Sequence, residues 1–327
     1  MSSSSPTAVT TDVTTAANAL LRGELVAFPT ETVWGLGAIA THREGIAKIY
    51  AAKGRPSDNP LIVHVSDLAG ALALFCEWPS RPLAESLLRA FAPGPITVVI
   101  PRPASLPPEV SAGLPTVGLR IPSHEVARAL LHAVAAPVAA PSANVSGRPS
   151  PTTRAGVLAS LDGKIPWVLD GPRGEIGLES TVVDCTGDTP ILLRAGAISV
   201  ESLREVTPTL TRLADEEARA RSPGTRHRHY APRCAVRLTR APRRKLPPNA
   251  RYEATAYIGL STPQSDEPFL LQRVCTSVED YARELFEFMR EVDSLGAEYL
   301  LCEIVAEEGI GLALMDRVRR AAGDTER

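Results

Sequence analysis

The sequence predicts an α/β protein built from two units, a larger one followed by a smaller one. Short apolar runs bounded by proline or glycine, which are typical of buried strands, alternate with segments whose apolar residues recur at helical spacing. The length of 327 residues exceeds that of one typical domain. A hydrophobic content of 44% with 22% charged residues is that of an ordinary globular protein. Alternation of both element types over about two hundred residues favours one α/β domain, followed by a second.

The first unit contains eight apolar runs and three segments with helical spacing. Each run predicts a short strand. These runs are residues 24–28, 61–65, 96–100, 117–121, 137–140, 167–169, 181–185 and 191–194. Helices are predicted over residues 43–53, 123–134 and 199–206, the second capped by Ser123 and the third starting at Ser199.

The composition changes after residue 206, which divides the chain. Ten Lys and Arg residues, three prolines and no Asp or Glu fall between Arg219 and Lys245, a pattern typical of a linker or arm. Beyond it the sequence predicts strands over residues 254–258 and 299–305 and helices over residues 278–292 and 312–322. We therefore predict a first domain over residues 13–206, a linker over residues 207–233 that covers the functional site, and a small C-terminal α/β domain over residues 234–323.

Charge and cysteine content exclude several classes of protein. A net charge of −2 argues against a surface that coats nucleic acid, so any basic function must be local. The five cysteines form no Cys-x-x-Cys pair, so neither a zinc site nor a disulfide framework is predicted. The sequence has no run of 18 apolar residues and no basic start followed by an apolar region. We therefore expect a cytoplasmic protein that does not contact a membrane.

Two segments about ninety residues apart carry the pattern of a phosphate-binding site. Lys53 and Arg55 flank a glycine after a predicted helix, and the loop that follows is of the kind that collects binding residues. Ser142 and Asn144 follow a predicted strand and offer a hydroxyl and an amide. Arginine gives phosphate a bidentate fork, and lysine gives it a mobile charge. The alternatives are solvated cations at a helix end and a simple Asx or ST turn.

Other polar residues stand within or beside apolar runs. Arg120 and Arg194 lie inside such runs, and since a buried arginine requires an anionic partner, they indicate an anionic substrate such as a carboxylate. Glu31 is a candidate general base or partner of an ammonium group, and Thr32 a candidate hydrogen-bond partner of a small substrate; a β-turn is the alternative. His64 lies in an apolar run, where a core histidine is the more common interpretation.

Motifs that the sequence lacks narrow the chemistry further. The chain has no Walker loop, no dinucleotide fingerprint, no kinase signature and no nucleophile elbow. We therefore expect catalysis by gathering reactants and neutralising charge, without a covalent nucleophile. His227 and His229 alternate as on an extended strand, but no third metal ligand is near, so we favour a segment that lies over a polyanionic ligand.

Six motifs together carry a family resemblance. They are PTET–W–GLG, KGRPSDNPLIVH, GLRIP, APSAN–SG, ESTVVD and LLRAG. In this combination the chain resembles the YrdC-like threonylcarbamoyl-AMP synthases, and the later SPG…HYAP segment with the small C-terminal unit resembles the long, two-domain form of that enzyme. The resemblance spans residues 13–322, with Thr225 where the family often has methionine and Asp316 where asparagine is common. It implies a twisted mixed sheet with flanking helices and a Rossmann-like C-terminal domain.

The resemblance implies a nucleotidyl transfer. L-threonine, bicarbonate and ATP, with Mg²⁺ held mainly by the phosphates and no protein metal site, give threonylcarbamoyl-AMP and pyrophosphate. A transferase complex then passes the group to tRNA, and the basic linker would supply a weak RNA contact. The residues expected to be catalytic are Lys53, Arg55, Ser142 and Asn144. The residues expected around ATP are Arg55, Asn59, Thr116, Ser142, Ser150, Arg194 and Tyr230. The residues expected around threonine are Thr32, His64, Arg120, Ala140 and Ser180.

Two other functions are alternatives. A non-catalytic RNA-binding module would explain the cationic linker, but an aromatic content of 5% offers few platforms for stacking bases. A carbamoyl-transfer domain of the kind used in hydrogenase maturation would be accompanied by zinc-finger and acylphosphatase modules, and the sequence contains neither.

Overall fold

The structure, a computed structural model, describes residues 5–212, 230–240, 246, 250–263 and 267–323. Within them the chain forms an eleven-stranded mixed sheet and a four-stranded parallel sheet. The predicted α/β fold, with a mixed sheet and a smaller second unit, is confirmed. The strands of the large sheet are β1 (Ala8–Thr10), β2 (Val26–Phe28), β3 (Gly35–Ile39), β4 (Ile62–His64), β5 (Ile96–Pro101), β6 (Thr116–Arg120), β7 (Val138–Ala139), β8 (Trp167–Leu169), β9 (Thr181–Asp184), β10 (Ile191–Arg194) and β11 (Thr211–Arg212).

Helices accompany the large sheet along the chain. In the described residues they are α1 (Val13–Leu21), α2 (Arg43–Lys53), α3 (Leu68–Leu72), α4 (Arg81–Phe91), α5 (Glu125–Val134), α6 (Arg154–Leu161) and α7 (Val200–Val206). Helix α1 begins where Asp12 accepts hydrogen bonds from the backbone N–H groups of Thr14 and Thr15. Helix α2 ends at Gly54, whose φ of 57° is the left-handed conformation that glycine adopts without strain. This ending directs the chain into the loop that carries Arg55.

The register of the central strands brings distant site residues together. Strand β4 is parallel to β6, with His64 opposite Arg120. Strand β7 lies between β3 and β4 and is antiparallel to both. The segment after β7 therefore runs beside the start of β3, where Ser142 forms a bridge with Gly35. Three segments that are far apart in sequence thus meet at one region of the sheet.

Strand β3 and the start of α5 differ from the sequence prediction. The pattern does not predict β3, because glycine disfavours strands, yet a Cβ at Gly37 would lie 2.9 Å from the ring of Phe28 and 3.0 Å from Val138. Glycine there lets β2, β3 and β7 approach closely. Helix α5 begins at Glu125 and no side chain caps it. The predicted Ser123 cap is wrong, since Ser123 lies one residue before the cap position and cannot bond the first turn.

The C-terminal unit is a small α/β sheet with the strand order β12-β15-β13-β14. Its elements are β12 (Ala235–Thr239), β13 (Thr255–Gly259), β14 (Leu271–Val274), β15 (Tyr299–Glu303), a 3-10 turn (Tyr252–Ala254), α8 (Val278–Leu295) and α9 (Gly311–Ala322). All of its strand pairs are parallel, in agreement with the expected Rossmann-like arrangement. The predicted domain boundaries stay predictions, and residues 213–229 of the predicted linker, with His227 and His229, lie outside the described residues. None of the described helices combines the length and apolar character needed to cross a membrane.

The two units share a buried contact. Val33 and Leu178 of the first unit belong to the same apolar cluster as the core of the C-terminal unit. Tyr230 joins this cluster and stacks on Phe286 of α8, with ring centroids 5.2 Å apart. Arg290, also on α8, donates to the carbonyl oxygen of Pro149 and, at 3.2 Å, to that of Gly156. Apolar packing and polar contacts therefore both hold α8 against the first unit.

Candidate active site

Lys53 connects the two halves of the predicted phosphate site. Its ammonium group donates hydrogen bonds to the carbonyl oxygen of Ser142 and, at 2.6 Å, to that of Asn144. Lys53 is buried, and burial lowers its pKa well below the usual value, with the charges of Arg55 and Arg290 acting in the same direction. Because these bonds end on backbone carbonyls, Lys53 holds the turn that carries Ser142 and Asn144.

Arg55 is held by the loop that follows it. Its Nε donates to the carbonyl oxygen of Asn59 at 3.0 Å, and one terminal nitrogen donates to the side-chain oxygen of Asn59 at 2.6 Å and to the carbonyl oxygen of Pro60 at 2.8 Å. Burial lowers its pKa to about 10, so the guanidinium remains charged at neutral pH. The loop thus presents a fixed cation to the cleft described below.

Arg120 and Glu31 form a buried pair beside His64. One terminal nitrogen of Arg120 donates to Glu31 Oε1 at 2.6 Å and to the hydroxyl of Thr32 at 2.9 Å. Nε of Arg120 and Oε2 of Glu31 are buried and have no hydrogen-bond partner among the described residues. The pair therefore retains one donor suited to an anion and one acceptor suited to an ammonium group.

Arg194 reaches the cleft from the end of β10. Its Nε donates to the carbonyl oxygen of Ser180 at 3.0 Å, and a terminal nitrogen donates to the hydroxyl of Ser180 at 3.1 Å. A Cβ at Gly196 would lie 2.2 Å from the backbone nitrogen of Thr181, so the close approach of these two segments requires glycine. Burial lowers the pKa of Arg194, while the negative charge of Glu179 opposes that change.

One cleft gathers most of the predicted site residues. Nine of the fourteen line it: Arg55, His64, Arg120, Ala140, Ser142, Asn144, Ser150, Arg194 and Tyr230. Four others do not line it but hydrogen-bond to a lining residue: Thr32, Lys53, Asn59 and Ser180. Thr116 does neither, because it stands at the opposite end of β6 from Arg120. The assignment of each residue to ATP or threonine stays a prediction.

Several lining residues escaped the sequence-based assignment. Trp34, Arg148 and Glu179 line the cleft although no role is predicted for them. The indole nitrogen of Trp34 and the side-chain oxygen of Asn144 are buried with no hydrogen-bond partner among the described residues. Both would gain a partner from a polar ligand. The sequence could have predicted a role for Glu179, because it stands close before an apolar strand and a buried carboxylate needs a cationic partner.

The acidic side chains in and beside the cleft determine whether the protein itself could hold a metal ion. Within the described part of the chain, no three His, Cys, Asp or Glu side chains are grouped to hold a metal. Glu179, which lines the cleft, and Glu31, which bonds the lining residue Arg120, are each paired with an arginine. The expected Mg²⁺, bound mainly by phosphate oxygens, stays a prediction.

We expect His64 to make stability fall in acid. Burial lowers its pKa to about 3, and the charge of Arg120 adds to the shift. In the unfolded chain its pKa is about 6.5, so between these two values the unfolded state binds the extra proton and the free energy of unfolding decreases as pH falls. At pH 5 the loss amounts to about 2 kcal/mol. Urea unfolding at pH 7.5 and pH 5.0 should show this loss in the wild type and not in His64→Gln.

The control for this measurement is His132→Gln, on the exposed face of α5. It should keep the pH dependence of the wild type, because the buried His64 is unchanged in this variant and the replaced side chain is exposed. An equal pH dependence in the wild type and in His64→Gln would contradict the prediction.

Comparisons with known proteins identify the family of this chain. A family model described as "Telomere recombination" (Sua5_yciO_yrdC) matches residues 18–196, and one described as "Threonylcarbamoyl-AMP synthase, C-terminal domain" matches residues 198–323. The threonylcarbamoyl-AMP synthase of Pyrococcus abyssi is 40% identical over 323 residues, which cover 94% of this chain and 93% of that protein. The protein of that name from Bacillus subtilis is 39% identical over 320 residues, which cover 94% of this chain and 92% of that protein.

The solved structures agree with the sequence relatives. The crystal structure of P. abyssi Sua5 complexed with L-threonine superposes with a TM-score of 0.87 at 39% identity, covering 96% of this chain and 94% of that one. The match extends through both units, which confirms the predicted long, two-domain form. The chain therefore belongs to the Sua5 family of threonylcarbamoyl-AMP synthases.

Proposed function

We propose that this chain forms threonylcarbamoyl-AMP and pyrophosphate from L-threonine, bicarbonate and ATP. The observation that carries the proposal is the convergence of Arg55, Arg120 and Arg194 on one cleft of a chain that belongs to this family. Three arginines in one cleft favour anionic ligands, and these substrates supply a carboxylate, bicarbonate and a triphosphate. A relative of known structure binds L-threonine.

Threonine would bind at the Arg120 end of the cleft. The unpartnered Nε of Arg120 suits its carboxylate, and the unpartnered oxygen of Glu31 suits its ammonium group before that group loses a proton. Thr32 hydrogen-bonds Arg120 beside the cleft, and this contact supports the proposal that its hydroxyl recognises the hydroxyl of threonine. Such a polar contact would favour threonine over valine, because valine would leave the buried partner unpaired.

ATP would bind towards Arg55 and Arg194. The fork of Arg55 is braced by Asn59, so little conformational entropy is lost when it meets phosphate. Ser142 lines the same wall, and its turn is held by Lys53. Mg²⁺ is proposed to enter as part of the ATP substrate and to neutralise phosphate charge.

The proposed chemistry joins two anions. The amine of threonine adds to bicarbonate, releasing water and leaving an N-carboxylate. An oxygen of this carboxylate attacks the α-phosphorus of ATP, and the bond to pyrophosphate breaks. Repulsion between the carboxylate and the triphosphate opposes this attack, so fixed cations such as Arg55 and Arg194 lower the barrier. No covalent bond to the protein is formed.

The product is a mixed anhydride, which water hydrolyses readily. We propose that a separate transferase complex receives it and delivers the group to tRNA in the cytoplasm. A weak RNA contact through the basic linker is part of this proposal. The two alternative functions, an RNA-binding module and a carbamoyl-transfer domain, are not favoured, because the relatives matched over both units are named threonylcarbamoyl-AMP synthases.

Pyrophosphate release tests the proposal directly. The purified protein with MgATP, L-threonine and bicarbonate should release pyrophosphate, and omission of any one substrate should stop it. Replacement of threonine by valine should lower the rate about 100-fold or more, because the hydroxyl contact is lost. Release of phosphate in place of pyrophosphate, or release without threonine, would show that the chain has a different activity.

A further inference from the structure

We propose that Arg317 of the C-terminal unit is a positioning residue for the nucleotide site, acting through Glu179 on Ser150. The inference rests on the proposed function only in taking the cleft to bind ATP. It assigns the C-terminal unit a part in nucleotide recognition.

The guanidinium group of Arg317, in the C-terminal unit, forms hydrogen bonds with residues of both units. Its side chain is fully buried; Nε donates to Glu179 Oε2 at 3.0 Å, and one terminal nitrogen donates to the carbonyl oxygen of Ala195 at 3.0 Å. The other terminal nitrogen donates to Asp316 at 2.9 Å. The guanidinium carbon lies 5.6 Å from the ring centroid of Tyr230, over the ring. Arg317 therefore contacts two cleft-lining side chains, Glu179 and Tyr230, without lining the cleft itself.

Glu179 connects Arg317 to Ser150, because its carboxylate bonds both residues. The second carboxylate oxygen, Oε1, accepts a hydrogen bond from the hydroxyl of Ser150 at 2.6 Å. Burial would raise the pKa of Glu179, but the charges of Arg317 and Arg194 outweigh it and lower that pKa. Glu179 is therefore ionised and can only accept hydrogen bonds. The proton of the Ser150 hydroxyl is committed to Glu179.

This arrangement decides what Ser150 can recognise. A hydroxyl whose proton is already donated offers only lone pairs to a ligand. Phosphate oxygens are acceptors and gain nothing from such a group. Ser150 therefore suits a donor on the nucleoside, which is a ribose hydroxyl or the amino group of adenine. Arg317 maintains this polarity, because without it the buried carboxylate loses a charge partner and the hydrogen bond from Arg317 Nε.

The hydrogen bond from Arg317 to Glu179 connects the two units, and Glu179 also accepts the hydrogen bond from Ser150. Arg317 lies on α9, whereas Glu179 and Ser150 belong to the first unit. A guanidinium that is fully buried is stabilised only while its partners surround it. Docking of the C-terminal unit and correct orientation of Ser150 thus become linked.

Nucleotide affinity tests the proposal without reliance on turnover. Calorimetry would measure the Kd of ATP, 2′-deoxy-ATP, 3′-deoxy-ATP and the triphosphate that lacks the 6-amino group. The wild type should prefer ATP to at least one of these analogues. Arg317→Met, which keeps apolar volume, should weaken ATP binding about tenfold and reduce that preference, while the affinity for L-threonine stays within about threefold. Arg317→Lys keeps the charge and should recover part of the loss.

Two controls separate positioning from general stability. The first is Arg319→Ala, on the same helix, which removes an ion pair with Glu307 near the surface. The second is Glu284→Gln, which removes the ion pair that Glu284 of the C-terminal unit forms with Arg173 of the first unit. Both should keep the ATP preference of the wild type. The proposal is overturned if Arg317→Met and Arg317→Lys both retain that preference, if the wild type shows none, or if Glu284→Gln loses it equally. A wild type that binds ATP but releases no pyrophosphate with threonine and bicarbonate would refute the proposed function and leave this inference standing.

Discussion

Pyrophosphate release should fall about 10³-fold when Arg55 is replaced by alanine. The side chain is a fixed cation braced by Asn59 and Pro60, and it lines the cleft where the triphosphate is proposed to bind. Its removal leaves the charge that develops on the pyrophosphate leaving group without a preorganised donor. The loss should appear in kcat as well as in KM for ATP, because the interaction strengthens in the transition state. Steady-state kinetics with the three substrates would measure it.

Two further variants test whether the loss of activity arises from the guanidinium group of Arg55. Arg55→Lys keeps a positive charge but not the bidentate fork, so an intermediate activity is expected. Arg89→Ala is the matched control, because Arg89 forms a solvent-exposed ion pair with Glu85 on α4. Binding of L-threonine should be retained in Arg55→Ala, which shows that the fold persists. Full activity in Arg55→Ala would refute the placement of ATP beside this residue.

Replacement of Arg120 by methionine should weaken L-threonine binding by about 10²–10³-fold. The guanidinium lines the cleft, and its buried Nε has no hydrogen-bond partner among the described residues, so it suits the proposed carboxylate ligand. Glu31 would lose its partner at the same time, so the free energy of unfolding should fall by about 3 kcal/mol. Calorimetry with L-threonine and urea unfolding would measure the two effects separately, and ATP affinity should change little.

A double variant separates binding from stability. Adding Glu31→Gln to Arg120→Met removes the uncompensated buried charge, so part of the lost stability should return. The affinity for threonine should not return, because the cation that recognises the carboxylate is still missing. If Arg120→Met folds poorly, the affinity for threonine would be measured with Arg120→Lys instead. Wild-type threonine affinity in a folded Arg120 variant would contradict the assignment.

Lys53 shows where reasoning from sequence reached its limit. The sequence places it beside Arg55 and predicts a shared phosphate site. In the structure its ammonium group bonds the carbonyl oxygens of Ser142 and Asn144 and does not line the cleft. Residue spacing reveals that the two segments contain complementary chemistry, but not the direction in which a long side chain points. That direction depends on the turn after β7, which only the folded sheet supplies.

Thr116 and Arg317 illustrate the same limit in opposite ways. The resemblance assigns Thr116 to ATP, yet it stands at the far end of β6 from Arg120. Arg317 carries no motif and is surrounded in sequence by other arginines, so no local pattern separates it from a solvated surface cation. Its full burial against Glu179 results from the docking of α9, a contact across 138 residues.

The sequence by itself determined the α/β class, the family and most of the residues that meet in the cleft. It could do so because the spacing of apolar residues indicates which residues are buried. A polar or charged residue inside an apolar run also needs a bonding partner, which marks it as a candidate site residue. Only the tertiary structure decided which side chains line the cleft and which hold the turns that carry them. It also decided that Arg55, Arg120 and Arg194 converge from strands and loops far apart in the chain. Such convergence depends on strand order and register, which are set by packing of the whole sheet and leave no local mark in the sequence.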